Sequence, residues 1–205
     1  MSSLVEGTLL AECFITLFVI MDPPGTVPIF LALTSGQSPT TRRRAAWQAV
    51  LVSFMVIVLF ALFGRELLSY LHISLPALQG AGGLLLLLVA LQLLTGQESE
   101  PQAGQDVNVA MVPLGTPLLA GPGAIVATMV FVERVDDVPS LTAVAGGVVG
   151  VHLVLWLSMR YSVLILRVLG DSGVTLVTRI SGLLLSAIAV QLVADSVRAF
   201  IAGEG

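Results

Sequence analysis

Lysine is missing altogether, and the nine basic residues among the 205 are all arginine. A phosphate-binding GxxxxGK loop is therefore excluded, because that loop needs its lysine on the phosphates. Charge of either sign is scarce: 11% of the residues are charged, against roughly 25% in soluble domains. Cysteine is reduced to Cys13, which rules out an intramolecular disulfide and a cysteine-rich zinc site. Two histidines and the lack of any HExxH or GxSxG pattern leave catalysis without recognisable machinery, so no enzyme is expected. The net charge of −4 argues against a nucleic-acid partner.

What is present in excess is apolar: 56% of the chain, with a mean hydropathy of +1.00. Such a chain cannot cover a water-facing surface, and its expected partner is the lipid bilayer. A helical span needs roughly 20 apolar residues, so about six fit with short loops. The runs fall at about 8–34, 45–70, 77–95, 108–132, 140–162 and 174–202. Ser38-Pro39 reads as an N-cap followed by proline at the first helical position. His72, Ser74 and Pro76 make a short turn, and Asp171 to Gly173 lies in the turn before the last span. Glu6 and Glu12 stand where a cleaved signal peptide carries positive charge, so the first run is expected to be a permanent span.

Two of these runs are interrupted, at Pro24-Gly25 and at Pro122-Gly123, 98 positions apart. Gly83-Leu84-Leu85-Leu86 with Ala90, Gln92 and Leu93 returns 99 positions later as Gly182-Leu183-Leu184-Leu185 with Ala189, Gln191 and Leu192. Arg65 and Arg160 hold similar places near the ends of spans two and five. Three spans per repeat is an odd number, so the halves would enter the membrane from opposite sides. The expected fold is all-α: a polytopic membrane protein of six transmembrane helices in two inverted three-helix repeats, with helices 1 and 4 broken at the Pro-Gly motifs. The first repeat covers 1–96, a polar cytoplasmic linker covers 97–107 and the second repeat covers 108–205. With both termini outside, Arg42, Arg43, Arg44, Arg160, Arg167 and Arg179 are cytoplasmic, against Arg65, Arg134 and Arg198 outside.

Breaks at membrane depth free backbone groups that lipid cannot satisfy. Pro23, Pro24 and Pro28 remove three donors within six residues, and Pro113, Pro117 and Pro122 act over a longer stretch. A single Pro-Gly is a plain kink, but a duplicated pair points to a polar site shared by the halves. Half-helix N-termini suit a carboxylate and opposing carbonyls suit an ammonium group, so a zwitterion fits both ends. Asp22 fits two roles, a cap on the second half-helix or an intramembrane carboxylate for a sodium ion or a proton. His152 is either a functional ionisable group or a neutral imidazole bonded to a helix carbonyl. Asp195 is a second acidic residue in a span, nearer the surface. Gln92 and Gln191 suit bonds across helices or the lining of a cavity, while Gly146, Gly147, Gly150, Gly182 and Ser186 suit close helix packing. Arg65, Glu66 and Arg160 read as interface anchors.

Phe18 to Thr34, with Met21-Asp22-Pro23-Pro24-Gly25-Thr26-Val27-Pro28 at its centre, resembles the first signature of the MarC family of inner-membrane proteins. Pro113-Leu114-Gly115-Thr116-Pro117 and Gly121-Pro122-Gly123-Ala124-Ile125 resemble its second, and Ala189-Val190-Gln191-Leu192 continues the likeness into the last span. The resemblance implies a multi-pass protein of the bacterial plasma membrane that carries small neutral amino acids, such as glycine or alanine, by alternating access. It implies coupling to a Na+ or H+ gradient and no cofactor or metal. Thr26 stands where the family usually has asparagine, and Asp195-Ser196 where many members have Asn-Gly. The substrate-binding residues expected are Asp22, Pro24, Gly25, Thr26, Thr116, Gly121, Pro122 and Gly123. A small channel or passive exporter, or a non-transport membrane factor, is the alternative.

Overall fold

The computed structural model describes residues 2–34, 36–96 and 119–203, and among these there is helix and no strand. The helices are α1 (Ser2–Met21), α2 (Pro23–Leu33), α3 (Pro39–Leu71), α4 (Leu75–Thr95), α5 (Pro122–Glu133), α6 (Val138–Arg160) and α7 (Ser162–Ala202). Five stretches are long and apolar enough to cross a membrane, Glu6–Leu31 among them, and Pro122–Glu133 is a shorter apolar helix. The linker 97–107, the start of the expected fourth span and Thr116 lie outside the described residues.

Local chemistry places the helix starts. Ser38, Ser74 and Asp137 accept hydrogen bonds from the backbone N–H groups of Thr41, Ala77 and Ser140, and each cap is followed by a proline in the first turn. At Asp137 the Ser140 hydroxyl completes a reciprocal capping box. Helices α3 and α4 end on left-handed residues, His72 and Gly96, whose N–H groups turn back onto carbonyls of the last turn.

Two boundaries differ from expectation. The first span breaks at Asp22, which sits at φ 40 between α1 and α2, while Pro23, Pro24 and Gly25 lie inside α2. Proline suits the first turn of a helix, where its missing N–H loses no bond, so the interruption precedes the prolines. Pro28 remains inside α2. The second departure is in α7: Asp171 to Gly173 are helical, and the chain bends at Gly170 (φ 64, ψ 172). A single glycine in that left-handed region turns the axis, leaving its neighbours free to stay helical.

Packing follows small residues. Helix α1 lies on α6, α3 on α5 and α6, α2 on α7 and α6, and α4 on both α7 and α5. Cys13, Leu17 and Phe30 share one buried cluster with Ala46, Ala49, Ile57, Leu119, Val151 and Leu155. A second cluster joins Val19 to Leu86 and Ala90 of α4 and to Leu185 and Ala189 of α7. Leucines such as Leu62, Leu84, Leu164 and Leu183 face outward, as lipid permits and water would not. Without a hydrophobic drive between helices in lipid, close backbone approach has to supply the contact. The α4–α7 crossing is the tightest instance. A Cβ on Gly83 would stand 2.8 Å from the Ala189 carbonyl oxygen, and one on Gly182 would stand 3.3 Å from that of Ala90.

Candidate functional site: the break at Asp22 and two clefts

The break is compact and almost fully sealed. Asp22 is 6% exposed and Thr26 3% exposed. The Asp22 N–H donates to the Phe18 carbonyl (3.0 Å), and the Asp22 carbonyl accepts from the Thr26 N–H (3.0 Å). The Thr26 hydroxyl lies 2.9 Å from the Asp22 carbonyl and 3.3 Å from that of Met21. Thr26 thus serves the carbonyls that the interruption disturbs. Pro23, Pro24 and Pro28 have no N–H, so the carbonyls of Val19, Ile20 and Pro24 lose their helical donors. This hinge is rich in acceptors.

The Asp22 carboxylate folds back over Gly25, occupying the space a side chain there would need. The Thr178 hydroxyl of α7 stands 3.2 Å from the same point. Thr178 did not emerge from the sequence as a site residue. Its spacing of four from Gly182 puts both on one face of α7, and that was the available signal. Pro24 is half-buried in the first turn of α2.

The second motif is built differently. Gly121 is the N-cap of α5 with no side-chain hydrogen bond, and its carbonyl accepts from Ala124 (3.0 Å) and Ile125 (3.2 Å). Pro122 is exposed, and Gly123 is buried with the Leu86 side chain of α4 in the space its own would fill. Gly123 is therefore a contact between α5 and α4, as Gly25 is between α2 and α7.

Two clefts open toward opposite ends of α4 and α7. One, of about 330 Å³, is lined by Pro28, Leu93, Gly96, Thr178 and Arg179 among others. The other, of about 270 Å³, is lined by Gln79, Ala127, Arg134, Gln191, Leu192 and Asp195 among others. Gln79 and Gly96 lie some 25 Å apart along α4 at about 1.5 Å per residue. Leu93 and Leu192, Gly96 and Asp195, and Gln79 and Thr178 are each separated by 99 positions. In the second cleft Gln191 donates to the Asp195 carboxylate (2.9 Å), a bond within α7 where a bond across helices was expected.

His152 takes the plainer of its two expected roles. Its Nδ1 lies 2.8 Å from the Val148 carbonyl, which can only accept, so the proton is on Nδ1. Nε2 is 3.3 Å from the Ser53 hydroxyl of α3, and Phe54 stands edge-on at 5.2 Å. At one end of the bundle Arg65 pairs with Glu133, and Arg134 lies 3.4 Å from Glu12. Among the described residues no group of three or more His, Cys, Asp or Glu side chains could hold a metal ion.

Apolar helices, a sealed interruption inside one of them and clefts at both ends define a polytopic integral membrane protein. The chain belongs to the MarC family: the model for "MarC family integral membrane protein" matches residues 7–201. A UPF0056 membrane protein of Methanocaldococcus jannaschii is 35% identical over 192 residues, covering 90% of this chain and 94% of its own. UPF0056 membrane protein YvbG of Bacillus subtilis is 31% identical over 193 residues, covering 90% and 92%. UPF0056 membrane protein YhcE of Escherichia coli is 28% identical over 198 residues, covering 93% and 92%. No solved structure matches.

Proposed function

We propose that the chain is a secondary transporter of a small zwitterionic solute, a neutral amino acid such as glycine or alanine, working by alternating access between two inverted repeats. The observation that carries this reading is the pair of clefts at opposite ends of α4 and α7, whose lining residues correspond at an offset of 99 positions. The α4–α7 crossing obeys the same offset: Gly83 meets Ala189, Leu192 and Val193, while Gly182 meets Ala90, Leu93 and Leu94. Helix partners correspond too, α2 with α7 as α5 with α4, and α2 with α6 as α5 with α3. A two-fold relation of this kind lets one conformation open the first cleft and its mirror open the second.

In this reading the solute's ammonium group lies toward Asp22 and the donor-free carbonyls of α1 and α2. Its carboxylate lies toward the Gly123 N–H at the start of α5, where Gly121 supplies no capping side chain. Both termini face the outside of a bacterial plasma membrane, the arrangement that places most arginines in the cytoplasm. The amino-acid class and the coupling to Na+ or H+ rest on the family resemblance.

The test is uptake of labelled glycine and alanine into proteoliposomes, with and without a Na+ or H+ gradient. Saturable, gradient-driven uptake with counterflow exchange is expected. Flux that never saturates and shows no counterflow would identify a channel, and no flux of either solute would remove the amino-acid assignment.

A further inference from the structure

Four arginines converge at the end of the bundle where α3 begins and α6 ends. Arg42 and Arg43 of α3, Arg160 at the end of α6 and Arg167 of α7 line one cleft of about 450 Å³. None of the described residues lining it is acidic, and the ion pairs among the described residues, Arg65–Glu133, Arg134–Glu12 and Arg198–Asp195, all lie elsewhere. Arg42 reaches the Thr34 carbonyl with Nη2 at 3.4 Å. Its Nε, and Nη1 of Arg160, are buried without a hydrogen-bond partner among the described residues.

An excess of arginine on one membrane face needs only that the side chains reach water. It does not account for four guanidinium groups gathered along one cleft with no carboxylate among its described lining. Like charges lining one cleft repel, and an anion between them relieves that repulsion. Guanidinium forks match the oxygens of a phosphate in pairs. The cleft is larger than a phosphate ion needs, and exposed Val163 and Leu164 give it an apolar wall. We propose that this cleft binds the phosphate headgroup of an anionic phospholipid, with Arg42 and Arg160 as its principal ligands and the acyl chains along the apolar wall. Basic pockets between transmembrane helices are built for this chemistry. The site is separate from the solute path and stands whether or not the transport reading does.

The experiment uses the purified full chain in detergent, with phosphatidylglycerol, phosphatidylcholine or inorganic phosphate added. Retained lipid is read by native mass spectrometry and stabilisation by thermal melting. Phosphatidylglycerol should be retained and raise the melting temperature, and phosphatidylcholine should do neither. Arg42→Gln and Arg160→Gln should each weaken retention about fivefold, the effect of one arginine at an anionic surface. Arg198→Gln, at the other end, should change nothing. If a glutamine variant fails to fold, Arg160→Lys keeps the charge without the fork and should show an intermediate loss. Equal retention of both lipids, or an equal loss with Arg198→Gln, would overturn the site. Stabilisation by inorganic phosphate with none from phosphatidylglycerol would make it a free-anion site. Tighter lipid binding in a Glu98→Gln, Glu100→Gln, Asp106→Asn triple variant would assign the cleft to the chain's own acidic linker.

Discussion

The two glycine-proline motifs begin their helices at corresponding places yet finish them in opposite ways. At α2 the residue before the first turn is Asp22, whose buried carboxyl folds over Gly25. At α5 the N-cap is Gly121, which offers no side-chain acceptor. One start therefore carries its own carboxyl group, and the other leaves the Gly123 N–H without an intrahelical acceptor. Packing around the two is alike, with Gly25 against α7 and Gly123 against α4. The lesson is that a duplicated backbone plan can keep its contacts while dividing its electrostatics. In the transport reading a solute with both charges uses that division, because two identical ends would bind two like groups.

The packing half of this comparison breaks most severely at the α4–α7 crossing. Gly83→Ala places its new carbon against a backbone carbonyl at 2.8 Å, which cannot move without shifting α7. It should destabilise the protein by about 2–3 kcal/mol, the upper part of the range for overpacking. At Gly182 the nearest atom is Leu93 Cβ at 3.0 Å and the carbonyl is at 3.3 Å, so Gly182→Ala should cost about 1 kcal/mol. Unfolding in mixed micelles measures both. Equal losses would mean that the crossing relaxes evenly and that the two halves are closer to identical than their distances indicate.

The electrostatic half is sharpened by Gly121→Asp, which gives α5 the aspartate that already precedes α2. Gly121 has φ −63 and ψ 164, extended backbone open to any residue. The new carboxylate should stabilise the helix by a few tenths of a kcal/mol. It should also occupy the N–H groups assigned to the solute, so uptake should fall about tenfold, equivalent to about 1.4 kcal/mol. A stabilised variant with unchanged uptake would move the carboxylate-binding end away from α5.

Much of this architecture is legible in the chain, because its signals are local. Ser38-Pro39, Ser74 with Pro76, and Asp137 with Ser140 act within one turn, and the structure uses each as a cap. The apolar runs announce their helices by length alone. Breaks are legible only approximately: prolines mark the neighbourhood, but that Asp22 takes the left-handed turn depends on α6 and α7 packing around it. The bend at Gly170 is legible to within one residue, because Gly170-Asp171-Ser172-Gly173 carries turn chemistry, but that Asp171 to Gly173 stay helical is not. Partners across helices are least legible. Nothing near Gly123 names Leu86, and nothing near Gly25 names Thr178. The repeat in Gly83 and Gly182 is the exception, because each glycine predicts the other's partner through the offset.

Thr26→Val probes the hinge with a smaller expected effect. It keeps the shape of Thr26 and deletes the hydroxyl that bonds the Met21 and Asp22 carbonyls. The Asp22 carbonyl retains the Thr26 N–H at 3.0 Å, so the Met21 carbonyl bears the loss, about 1 kcal/mol for one unmade bond. Ser53→Ala, which removes the partner of His152 Nε2, should cost a similar or smaller amount for the same reason. If Thr26→Val abolishes uptake with stability intact, its hydroxyl serves the solute as well as the hinge.

The smallest effect expected contrasts the buried Asp22 with Asp137, the aspartate cap of α6. Asp137 lies at the surface, where the Ser140 hydroxyl and the Ser140 backbone N–H hold its carboxyl below the ordinary value of 3.8. A depressed folded-state value means that the charged form is favoured by folding. The contribution is therefore present above pH 3.8, is lost as pH falls through the lower folded-state value, and is absent once both states are protonated. Comparing the wild type with Asp137→Asn between pH 6 and pH 2 should show curves that are offset at the upper end and converge below about pH 4. The offset should be small, because an exposed group is screened by water and salt. An offset that does not change with pH would mean that the capping box is not formed in the membrane-embedded protein.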